Sequence, residues 1–268
     1  MSARWAAGLR RKGLVASLVA LALAMSLSGV ARAAVKAAPG PSIATRTVKA
    51  VLIYPWAGCV TSSAWTTLAQ DSSLYGTTQL RIDGTTFCST SNQVTYAALV
   101  ATKAKVLVFS DTAGGEYQLT PAEIAAITQY VQAGHNIVAT YATFLYSSYD
   151  NSALAPLFGL ASSFSATPAF VTPYYKILRT SAPLFSAVPN PYDSNGYAST
   201  QSPAGGHWNK AALAGAKYGA LASGGRAAIT MFNDTADHYQ AVYISNMPEY
   251  SPDTADNQFL YNALTLRS

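Results

Sequence analysis

The stretch that decides the fold is Val106-Leu107-Val108-Phe109-Ser110, then Leu119-Thr120-Pro121-Ala122-Glu123-Ile124, then Gln132-Ala133-Gly134-His135-Asn136-Ile137-Val138-Ala139-Thr140. The first run is apolar through its centre, the pattern of a strand covered on both faces. Thr120-x-x-Glu123 is a capping box, and Pro121 suits the first helical position. Ile124, Ile127 and Val131 form one apolar stripe. Gly134 stands where a left-handed residue ends the helix. Asn136–Thr140 is then a second buried strand, so the unit reads strand, helix, parallel strand.

Working outward, the same rhythm precedes this unit. Ala50–Tyr54 and Gln79–Ile82 read as strands, and Ser62–Ala69 and Asn92–Ala101 as helices. Lys105–Ser110 and Asn136–Thr140 follow as third and fourth strands. Alternation of this kind predicts an α/β fold: a mainly parallel sheet sandwiched by helices, with right-handed crossovers. Ligand sites in such sheets lie beyond the carboxyl ends of the strands. Beyond the fourth strand the pattern changes. Leu154–Leu160 reads as a short helix. Tyr218–Ala222, Ala227–Phe232 and Tyr239–Ser245 are strands separated by Gly224-Gly225 and Asn233-Asp234, which predicts an antiparallel C-terminal extension. A closing helix is expected over Pro252–Leu266, capped by Ser251, with Phe259, Leu260, Ala263 and Leu264 inward.

The chain has 268 residues. Residues 1–33 read as a signal peptide: Arg4, Arg10, Arg11 and Lys12 precede the apolar run Leu14–Leu27, and Ala31-Arg32-Ala33 offers a cleavage site. Residues 34–47 read as a linker and 48–268 as a single domain. The expected location is secreted or periplasmic, with no membrane span after signal removal. Five of the 17 basic residues lie before position 34, whereas all 12 acids lie after it, so the remainder balances at 12 against 12. A balanced charge gives no support to nucleic-acid binding. Cys59 and Cys88 read as a disulfide in an oxidising compartment, the alternatives being two free thiols or one nucleophile.

The quoted stretch also resembles the class I glutamine amidotransferase-like superfamily, a flavodoxin-like fold, near the branch containing β-galactosidase trimerisation domains. Thr143-Phe144-Leu145-Tyr146, Leu157-Phe158-Gly159 and Ala241–Glu249 fit that pattern, and Asn257–Leu264 resembles its closing helix. The resemblance implies a catalytic Cys on the turn after the fourth strand and a His-Pro-Glu segment after the last. Tyr141 stands at the first position and Met247 at the second, with Glu249 retained. A phenol and a thioether cannot act as thiolate and base, so glutaminase chemistry is expected to be lost.

No replacement set is evident. His135 and His238 belong to the wrong edge of the sheet, and a Cys59–His207 pair is the remaining thiol–imidazole option. Three scattered histidines give no metal-ligand spacing, and no cofactor is expected. Asp111, Glu116 and Glu249 are the carboxylates available for glycoside chemistry. Tyr54, Trp56, Asp111, Glu116, Tyr141, Thr143, Tyr146 and Glu249 are the candidate ligand-binding residues. The expected function is non-catalytic binding of a carbohydrate or other small molecule, or protein assembly. A secreted hydrolase of glycan or amide bonds is the alternative.

Overall fold

The computed structural model describes residues 46–55, 63–88, 93–110, 117–146, 149–160, 169–170, 174–195, 199–200, 217–222 and 226–267. The strands are β1 (Thr47–Ile53), β2 (Gln79–Phe87), β3 (Val106–Phe109), β4 (Asn136–Thr140), β5 (Leu145–Tyr146), β6 (Tyr149–Asp150), β7 (Ala169–Phe170), β8 (Tyr174–Ile177), β9 (Tyr192–Asp193), β10 (Ser199–Thr200), β11 (Lys217–Ala222), β12 (Arg226–Asp234) and β13 (Tyr239–Ile244). The helices are α1 (Ser63–Asp71), α2 (Tyr96–Thr102), α3 (Pro121–Gln132) and α4 (Thr254–Thr265).

Among the described residues, nine strands form one sheet in the order β2-β1-β3-β4-β13-β12-β11-β8-β9. The five from β2 to β13 run parallel, and β12, β11, β8 and β9 continue antiparallel. This is the expected mainly parallel core with an antiparallel extension. Burial alternates across it. Val106, Val108 and Val138 face one layer with Trp65 and Leu68 of α1 and Phe259, Leu260, Ala263 and Leu264 of α4. Leu107, Phe109, Ile137 and Ala139 face the other, with Leu99 of α2 and Ile127, Tyr130 and Val131 of α3. Both faces of β3 and β4 are thus covered, which is why their sequences are unbroken apolar runs.

Local chemistry sets the ends. The Thr120–Glu123 capping box forms in both directions, and Gly134 adopts φ +90 behind α3. Several boundaries differ from expectation. β1 begins at Thr47, inside the expected linker, and ends at Ile53, because Tyr54 turns out of the strand with φ 45. β2 runs on to Phe87. A register shift opposite Val51/Ile53 lets Asp83, which accepts from the Thr85 and Thr86 amides, stay within the strand. Thr95 caps α2, so that helix starts four residues after Asn92. The Leu154 segment is a 3-10 helix, Ser152–Phe158, with Pro156 inside it. Asp253, not Ser251, caps α4, since its carboxylate accepts from the Asp256 amide and Asp256 returns the bond.

No helix among the described residues is long and apolar enough to cross a membrane. Residues 1–33, read from the sequence as a signal peptide, lie outside the described residues.

Candidate functional site

The carboxyl ends of β3, β4 and β13 converge on Glu249. Strand alternation carries the layer of Val106 and Val108 on to Ser110, and that of Val138 on to Thr140, so both hydroxyls reach the α1/α4 side. There Ser110 Oγ donates to Glu249 Oε1 at 2.9 Å and Thr140 Oγ1 donates to the same oxygen at 2.6 Å. Trp65 Nε1 of α1 donates to Ser110 Oγ at 2.7 Å. Thr140 Oγ1 also lies 3.3 Å from the Phe109 carbonyl. Glu249 is fully buried, and its Oε2 has no hydrogen-bond partner among the described residues. Burial pushes its carboxyl up to about 7, against the opposing pull of Thr140, its own amide and Ser110.

A second buried acid sits alongside, at the start of α4. Asp256 accepts from the Tyr192 hydroxyl, from Ser194 Oγ at 2.6 Å and from the Asn195 amide at 3.0 Å. Burial raises its carboxyl above the usual range even so. Asn246 Nδ2 donates to Ser194 Oγ at 3.0 Å. The charges of Glu249 and Asp256 sense one another. Two buried polar clusters thus lie under the carboxyl edge.

The turn after β4 carries the fold's second strained phenol. Tyr141 has φ 42 and is buried. Its amide donates to the Ile244 carbonyl at 2.8 Å, and its carbonyl accepts from the Tyr243 hydroxyl at 2.8 Å. Its ring packs with Ala142 and Met247, with Tyr146 against the cluster. The two positions that the resemblance assigns to nucleophile and base therefore do meet in space, filled by a phenol and a thioether.

The candidate residues separate on inspection. Glu249, Tyr141 and Tyr146 share this region, but Glu249 and Tyr141 are buried rather than presented to solvent. Thr143 is buried and donates to the Thr140 carbonyl at 2.7 Å, a turn bond rather than a ligand contact. Tyr54 is buried. Its hydroxyl donates to Glu123 Oε1, which also accepts the Val94 amide at 3.2 Å, so it ties β1 to α3 in the core. Trp65 and Phe144 are also buried. Tyr174 and Tyr250 are the half-exposed aromatics beside this edge. Trp56, Asp111, Glu116, Cys59 and His207 lie outside the described residues. Cys88, at the end of β2, is not a free thiol.

Sequence reasoning missed Ser110 and Thr140 as partners of Glu249, and Trp65 as the donor to Ser110. The available signal was a hydroxyl ending each of two adjacent buried strands. The two described histidines keep to the opposite edge. His135 precedes β4 and stacks on Tyr130 with centroids 4.0 Å apart, and burial, then Lys105, holds its imidazole below the usual value. His238 precedes β13. Among the described residues no group of three or more His, Cys, Asp or Glu is placed to hold a metal ion. A groove of about 750 Å³ opens at that same far edge, bordered by Leu184, Phe232, Gln240 and Leu266, away from every candidate residue.

No family model matches the sequence, and no curated protein does. Solved structures do match in shape. A ThuA-like protein from Bacteroides uniformis is similar at TM-score 0.50 and 15% identity, covering 84% of this chain and 93% of its own. A cytoplasmic protein from Salmonella typhimurium reaches TM-score 0.55 at 9% identity, over 81% of this chain and 97% of its own. The mmIFT52 N-terminal domain reaches 0.51 at 10% identity, over 80% and 93%. Identities this low speak to architecture alone: the chain has a mixed α/β fold with a mainly parallel central sheet, and a ThuA-like protein is among the structures similar to it in shape.

Proposed function

We propose that this chain is an exported, non-catalytic domain that binds a hydroxyl-rich ligand of the carbohydrate class at the carboxyl edge of its sheet. One observation carries the reading. At the three positions where the resemblance implies nucleophile, base and orienting acid stand a buried phenol, a thioether packed on it, and an acid already bonded to two hydroxyls. Acyl transfer requires a nucleophile within reach of a base, and Tyr141 and Met247 supply neither. Around this centre the edge offers aromatic surface at Tyr146, Tyr174 and Tyr250. Flat rings with adjacent hydroxyls and amides stack on sugar faces and bond their hydroxyls.

Export and a Cys59–Cys88 bridge complete the proposal. Both cysteines follow the ends of β1 and β2, which are paired neighbours, and a bridge there would pin the rim of the edge.

The test is a glycan array probed with the purified protein, beside assays for amide and glycoside hydrolysis. Retention of a glycan, weakened at least tenfold by Tyr250→Ala together with Tyr146→Ala, is expected, with no turnover. Turnover that survives removal of contaminating enzymes would refute the non-catalytic reading. Undiminished binding by the double variant would move the site elsewhere.

A further inference from the structure

The two halves of the sheet are covered unequally. On the layer that holds Trp65, the parallel strands lie under two helices, α1 and α4. On the same layer the antiparallel strands meet Pro183–Phe185, a single 3-10 turn. One such turn cannot span what the 12 residues of α4 span. Met231 near the end of β12, with Ala182 and Leu266, therefore packs against the core and stays half-buried. The gap is the groove of about 750 Å³ at the far edge, lined by these three and by the buried Leu184. Sites for small molecules fall in this range of size.

The walls of the groove are fixed by the fold's own bonds. Asn262 of α4 donates through Nδ2 to the Leu184 carbonyl at 3.1 Å and the Ser186 carbonyl at 2.7 Å, which ties the 3-10 turn to the helix. Its Oδ1 accepts from Gln258 Nε2 at 3.0 Å. The tail after α4 is held by Asn136 Nδ2 donating to the Leu266 carbonyl at 3.1 Å and by Gln240 Nε2 donating to the Arg267 carbonyl at 2.5 Å. β12 stays paired with β13 as far as Asp234 and Tyr239. A cleft whose walls are already ordered loses little entropy when it is filled.

Charge selects the occupant. Among the described residues, Arg267 is the one charged side chain that borders the groove, and its guanidinium enters no ion pair. Asp234 lies between two bordering residues, Asn233 and Thr235, but its Oδ1 accepts the Ala236 and Asp237 amides at 2.9 Å each. On the other side of Leu266 a smaller pocket, of about 240 Å³, is bordered by two more cations, Arg46 and Lys105. We propose that the groove is a second binding site, separate from the carboxyl edge, for an amphiphile with one apolar body and one carboxylate. The body lies against Leu184, Met231 and Leu266, and the carboxylate pairs with Arg267. Covering the half-buried apolar walls releases their water, and a planar guanidinium meets a carboxylate through two parallel bonds. A sugar would set its hydroxyls against those apolar walls, and a cationic amphiphile would meet Arg267 as a like charge.

Octanoate, octanol and octylamine share one chain and differ in charge, which makes them the probes. Each is titrated into the isotope-labelled protein and followed by NMR. Octanoate is expected to saturate one site, with shifts concentrated on the backbone amides of Asn233, Gln240 and Leu266 and on the side-chain amide of Asn262. Octanol should bind about tenfold more weakly, the step that one charge-assisted pair contributes, and octylamine should give no saturable shift. Arg267 is exposed, and the Gln240 bond falls on its carbonyl rather than its side chain, so its substitutions leave the fold intact. Arg267→Gln should lower octanoate affinity about tenfold and leave octanol unchanged, and Arg267→Glu should move the preference to octylamine. Octanoate that gives no saturable shift, that shifts the carboxyl edge instead, or that binds Arg267→Gln as tightly as the parent overturns the proposal. Equal affinity for octanoate and octanol does the same. The carbohydrate reading is tested apart from this, since its residues lie at the opposite edge.

Discussion

Replacing Glu249 with Gln should stabilise this protein at alkaline pH and do nothing of the kind in acid. The carboxyl sits at about 7 in the fold against an ordinary 4.5. The folded state therefore binds the proton more tightly than the unfolded chain. Where the native state holds more protons, stability falls as pH rises. The contribution of Glu249 is accordingly complete below about pH 4.5, declines through the window up to about 7, and is absent above it. At ~1.36 kcal/mol per tenfold difference in affinity, the difference between those values corresponds to about 3 kcal/mol. Gln keeps an oxygen for Ser110 and Thr140 but places an unpartnered amide N–H where Oε2 stood, at about 1–2 kcal/mol. The variant should be less stable than the parent at pH 4.5 by about that amount, and more stable at pH 8 by about 1–2 kcal/mol. Urea unfolding of both proteins from pH 4.5 to 8.5, read as the difference between them, isolates this group from every other. A difference that stays flat within about 0.5 kcal/mol, the usual scatter of such comparisons, would falsify the assignment of Glu249 as a buried, largely dry acid.

Tyr54→Phe removes the hydroxyl that Glu123 accepts in the core. A loss of about 1.5–3 kcal/mol is expected by urea unfolding. Burial works to raise the Glu123 carboxyl, but the bonds from Tyr54, Thr120 and Val94 outweigh it and hold it below its usual value. Its stabilisation is therefore lost as pH falls through that lowered value, and Tyr54→Phe should show a smaller acid-side loss than the parent. Gly76→Ala would set a Cβ 2.5 Å from Tyr261 Oη, whose bond to the Thr78 amide is 2.8 Å; the ring must shift, and a fall of about 1–3 kcal/mol in denaturation measurements is expected, with an unchanged midpoint refuting the packing. If Cys59 and Cys88 are bridged, Cys88→Ser should lower stability by about 3–4 kcal/mol, and the parent should take up no thiol reagent until it is reduced.

What could be read from the chain followed the range of the interactions. The α3 unit is legible because its cap, stripe and terminating Gly134 all act within one helix. The strands of the parallel core are legible because burial on both faces leaves no polar residue at their centres. For α4 the sequence offers two cap candidates, Ser251 before Pro252 and Asp253 at capping-box spacing from Asp256, and only the fold decides for Asp253. Tyr54 looked like a rim aromatic, since nothing local reveals a partner 69 positions away. The same holds for Glu249, whose hydroxyl partners lie 139 and 109 positions back. Its retention was visible in the sequence; its burial was not.

The order in which the sheet is written differs from the order in which it is assembled. The last strand made, β13, lies between β4 and β12 in the middle of the sheet, and α4 then seals the layer that holds Trp65 and Tyr192. A nascent chain that ends before Tyr239 has two half-sheets, each with a bare inner edge ready to pair with a stranger. Folding of this domain must therefore wait until β13 and α4 have been synthesised, and products cut short before them should be the ones that aggregate.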